Sequence, residues 1–108
     1  MARRNLYRGQ PTTTAAAVYT SSNIYTTITA ASACNTTASA VEIDIWRVPN
    51  GGTASDANKI YEDLSVPPNG QLGLQLLIQK TLAKDEELHV QAGIGAAVTL
   101  DIDGDQHS

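Results

Sequence analysis

The sequence contains no phenylalanine, a single cysteine, a single methionine and a single tryptophan in 108 residues, and aromatics amount to 5%. Without a second cysteine there is no internal disulfide framework, and Cys34 alone excludes a cysteine-based zinc site. With so few rings, a core has to be assembled from Val, Ile, Leu and Ala. No apolar run approaches the roughly 20 residues that a membrane-spanning helix requires. Met1–Gln10 lacks the apolar stretch of a secretory signal, so no leader is expected. Apolar residues still make up 42% of the chain, which excludes a disordered tail. The length suits one domain, with folding removing about two-thirds of its surface from water.

Acidic residues are missing from the N-terminal end, where Arg3, Arg4 and Arg8 stand without a counter-charge. The remainder carries the other four basic residues and all eleven acids, a balance of −7 within a whole-chain formal charge of −4. A body of that charge repels phosphate and has no Lys/Arg stripe, which argues against nucleic-acid binding. Residues 1–14 read as an extended N-terminal arm preceding a β-sandwich domain at 15–108. Two roles stand open for the arm: docking against a neighbour, or a solvated, frayed terminus.

What is abundant is alternation with a period of two. In Val41-Glu42-Ile43-Asp44-Ile45 the odd positions are apolar, the mark of a half-buried strand. Leu72, Leu74, Leu76 and Ile78 repeat it, as do Leu88, Val90 and Ala92, then Ala96, Val98, Leu100 and Ile102. Asn23–Thr29 is rich in β-branched residues, and Ala16–Thr20 and Lys59–Leu64 are weaker strand candidates. A helical turn capped by Asp56 competes for Ser55–Leu64. Turn chemistry separates the runs at Pro49–Gly52, Pro67–Gly70, Gly93–Gly95 and Asp103-Gly104. About seven to eight short strands at this spacing predict an all-β fold, an antiparallel β-sandwich of jelly-roll-like form.

Catalytic constellations are scarce. His89 and His107 are the only histidines, and a Cys34–His89 dyad is disfavoured, a lone Cys at a strand end being usually a small core hydrophobe. There is no glycine-rich phosphate loop, HExxH or GxSxG. The expectation is a protein that is not an enzyme and takes no cofactor. Asp101, Asp103 and Asp105 would project from one strand face; an outer polar face closed by an Asp-Gly turn is favoured there over a calcium site. By alternation Trp46 faces away from Val41, Ile43 and Ile45. It is then either an anchor for another subunit or covered by its own loop, Pro49 to Ala57. The partner-binding set expected from arm and outer face is Arg3, Arg4, Tyr7, Arg8 and Trp46.

The order of turns carries a resemblance. Cys34-Asn35-Thr36-Thr37-Ala38-Ser39-Ala40 closes one strand and a Val-x-Ile-x-Ile strand follows. Val48-Pro49-Asn50-Gly51-Gly52-Thr53-Ala54 then leads to Ala57-Asn58, and Pro67–Gly70 to a Leu-x-Leu run. Over about residues 15–102 this run resembles that of small all-β virion structural proteins of tailed bacteriophages. The resemblance implies a structural role without catalysis, foremost as a capsid decoration (cement) protein on the outer capsid surface. Its partner would be the major capsid protein or another virion protein, its state a homo-oligomer with a trimer favoured, and no membrane would be involved. A tail, neck, collar or fibre-associated component is the alternative within that class, and a host-surface glycan-binding module the alternative outside it.

Overall fold

The computed structural model describes residues 2–108. Its strands are β1 (Ala2–Gly9), β2 (Ala16–Thr20), β3 (Tyr25–Asn35), β4 (Val41–Val48), β5 (Lys59–Val66), β6 (Gly70–Gly73), β7 (Thr81–Leu82), β8 (Glu87–Ala92) and β9 (Val98–His107). A 3₁₀ turn, Asp56–Asn58, lies before β5, where the Ser55 N–H donates to Asn58 Oδ1 at 3.1 Å. Strands β1-β9-β3-β6 form one sheet, with β7 also on β3, and β2-β8-β4-β5 form the second. Every pairing is antiparallel. The pairs β1/β9, β2/β8 and β3/β6 nest around the β4/β5 hairpin, which is the strand order of a jelly roll. The all-β sandwich expected from alternation is the fold observed.

The core fills the space between the two inner faces. Ile28, Ala31, Ala33, Val98, Leu100 and Ile102 come from the first sheet and meet Val41, Ile43, Ile45, Leu88, Val90 and Ala92 of the second. All are aliphatic, as the lack of aromatics requires. Arg47 closes one side: its Nε donates to Glu86 at 3.0 Å and its Nη2 to the Thr81 carbonyl at 2.8 Å, tying β4 to β7 across the layers.

Three expectations change. Within the expected 1–14 arm, Ala2–Gly9 form a paired strand, β1, laid along β9 from Ala2↔Gln106 to Gly9↔Leu100. The Leu72–Ile78 run is not one strand. Strand β6 stops at Gly73, and the Leu77, Ile78 and Lys80 N–H groups donate back to the Leu74, Gln75 and Leu77 carbonyls in successive turns. Leu74 and Leu77 are therefore buried and Leu76 is exposed. Asp103-Gly104 is not a turn either, since β9 runs through it to His107. Gly104 occupies an inward position where a Cβ would lie 2.7 Å from the Thr27 carbonyl oxygen and 2.9 Å from Leu6 Cδ1. A residue without a side chain is needed there for close packing, not for reversal.

Candidate functional site

The outer face of the first sheet is built on β9. Asp101, Asp103 and Asp105 alternate outward along it, between Arg8, Asn5 and Arg3 of β1 on one side and Ser32, Ala30 and Thr27 of β3 on the other. The three carboxylates share one face, as their spacing predicts, and β1 supplies a polar partner to each. Asn5 Nδ2 donates to Asp101 and Asp103 at 2.8 Å each. Arg3 Nε lies 3.3 Å from Asp105, and Arg8 Nε 3.9 Å from Asp101. Among the described residues no group of three or more His, Cys, Asp or Glu side chains is arranged to hold a metal ion. These pairs are solvent-exposed, so they hold the register of β1 more than they stabilise the fold.

A cleft of about 620 Å³ opens on this face, lined by Arg3, Arg4, Asn5, Gln79 and Asp103 together with Thr29, Ala30 and Gly104. Arg4 has no ion-pair partner among the described residues and is exposed, so it is the cation this cleft offers to another molecule. Asn5 and Gln79 had no distinguishing signal in the sequence. Asn5 gains its place from cross-strand register, and Gln79 from a turn with φ of 75° whose N–H donates to the Ile28 carbonyl.

The five expected partner residues do not form one surface. Arg3, Arg4 and Arg8 lie on or beside the β1–β9 face. Tyr7 does not: the register of β1 shifts between Asn5 and Tyr7, and this bulge brings both Leu6 and Tyr7 onto the core. Burial raises the Tyr7 phenol above its ordinary pKa. Trp46 belongs to the other sheet. It sits outside the core cluster, cross-strand from His89 and Lys59, on the outward side that alternation predicts. Yet it is only 6% exposed, with the Lys59 ammonium 5.0 Å from its ring centroid and the 3₁₀ turn against β4. Of its two expected roles, the covered one is observed, and the anchor role is withdrawn.

The Cys34–His89 pair is also separated. Cys34 is exposed on the outer face of the first sheet beside Thr99, whereas His89 lies on the second sheet and pairs with Glu87 at 2.8 Å. His107 is part of β9, bonded to Thr27 Oγ1 at 3.2 Å and stacked on Tyr25.

Fold and face together define a jelly-roll domain with a cross-strand charge ladder on one sheet. Comparison with known proteins adds nothing further: no family model, curated protein or solved structure matches the chain.

Proposed function

We propose that this protein is a non-enzymatic structural subunit of a tailed-phage virion, and specifically a capsid decoration protein that binds the major capsid protein as a homo-oligomer. The observation that carries this reading is the jelly-roll strand order, an arrangement that recurs in viral capsid and lectin domains. The run of turn motifs from Cys34 to Asn58 supports it by resemblance, because those residues form the loops at the two ends of β4. A shell under internal pressure is stabilised by clamps that span its subunits, and many weakly bound copies hold together what one would not. In this reading the cleft beside Arg4 faces the capsid. The glycan-binding alternative has less support, since the cleft is lined by no aromatic platform and Trp46 is covered.

Cosedimentation of the purified protein with phage heads assembled without it tests the proposal. Saturable binding to heads is expected, with Arg4→Glu weakening it about tenfold through loss of one unpaired interfacial cation. Binding to isolated tails and not to heads would favour the tail component. Binding to neither, with hits on a glycan array, would overturn the virion reading.

A further inference from the structure

We infer that copies of this chain associate through one end of the sandwich, the end formed by the β1–β2, β3–β4, β5–β6 and β8–β9 loops. These loops cover residues 10–15, 36–40, 67–69 and 93–97, and none of the seven basic and eleven acidic residues falls in them. The charge is elsewhere, including Asp56, Lys80, Lys84, Asp85 and Glu86 in the loops of the opposite end.

The four loops form a single pre-built surface. The Ala96 N–H donates to the Pro11 carbonyl at 3.5 Å and the Ala92 N–H to Thr12 at 2.9 Å, joining the first loop to the last. The Thr36 N–H donates to Ala97 at 3.4 Å and the Asn69 N–H to Thr37 at 2.9 Å, joining in the other two. Below them the buried Asn35 amide donates to the Ser39 and Val66 carbonyls at 2.8 and 3.1 Å and accepts from the Thr37 N–H at 2.9 Å. A surface ordered before it binds loses little conformational entropy on docking.

Its composition selects the occupant. At the tip Ile94, set between Gly93 and Gly95, is 48% exposed. A molecule of net charge −4 repels its own copies over most of its surface. Near a rotation axis, moreover, every residue meets its own image, so any charge there faces a like charge. An end free of charge, apolar at its tip and rimmed by Arg8 and Glu42, satisfies that condition for a second copy. Charge-depleted centres within polar rims are the usual anatomy of protein interfaces. The inference rests on the homo-oligomer part of the reading above, for which it names the surface, and not on the capsid as partner.

Sedimentation equilibrium on the full chain tests it, with a mass of at least twice 11.4 kDa expected for the wild type. Ile94→Asp is expected to weaken association about thirtyfold or more, as loss of a central apolar contact does. Ser39→Lys, on a different loop, should act in the same direction. Leu76→Asp, 55% exposed but outside these loops, should leave the mass unchanged. Circular dichroism checks that each variant is folded. A monomeric wild type would overturn the inference and the homo-oligomer with it, while head binding is judged by the cosedimentation alone. So would an oligomer that survives both Ile94→Asp and Ser39→Lys, or one dissociated by Leu76→Asp alone.

Discussion

The Lys59 ammonium lies over the Trp46 ring and donates to Glu62 at 3.2 Å. Desolvation works to lower its pKa, but the hydrogen bond to Glu62 and the charges of Asp44, Glu62 and Asp56 outweigh it and leave it above the ordinary 10.5. The folded state therefore holds this proton more tightly than the unfolded one. Its stabilising share is complete below 10.5 and is lost as pH rises through the raised value. Trp46 emission is expected to shift to the red across that alkaline window, with the step absent in Lys59→Gln. Tyrosine ionisation affects both proteins equally, so identical titrations would show that the ammonium does not hold the ring. At Gly104 the argument is steric. Gly104→Ala drives a methyl against the Thr27 carbonyl oxygen and Leu6, and is expected to cost about 2 kcal/mol in a thermal melt. An unchanged melt would mean that β1 and β3 yield there.

Among the elements, β1 departs furthest from its reading in the sequence. A frayed arm could be removed without consequence for stability. A strand paired along β9 that places Leu6 and Tyr7 on the core cannot. Deletion of residues 1–9 is expected to lower stability by about 3 kcal/mol or more through lost apolar burial, and to leave β9 as an open edge prone to association. A truncated protein with an unaltered melting temperature would restore the free-arm reading. The sequence hid this strand because Arg3, Arg4, Asn5 and Arg8 offer no apolar alternation, and because the bulge breaks such alternation as there is. The 74–79 turns were hidden for the opposite reason. Leu72, Leu74, Leu76 and Ile78 fit a period of two, but Leu74 and Leu77, three apart, are the residues that reach the core.

Over the whole molecule, charge and topology are arranged together. Arg3 and Arg8 come to rest against aspartates nearly a hundred positions later, so charges far apart along the chain become a cross-strand ladder in space. The uncharged loops, dispersed through the chain, converge at one end because a jelly roll returns every other connection to the same side. Both surfaces exist only after folding.

The layers of the sandwich and most of its core were legible from the sequence, since burying one side of a strand demands alternation and Val41, Ile43, Ile45, Leu88, Val90, Leu100 and Ile102 supply it. The outward orientation of Trp46 and the shared face of the three aspartates followed from the same rule. Coverage of Trp46, the packing of Tyr7 on the core, the partners of Arg3 and Arg8 and the gathering of charge-free loops around Ile94 did not. Alternation states which way a side chain points. What lies opposite it depends on register, bulges and strand order, which are settled by contacts between residues far apart in the chain.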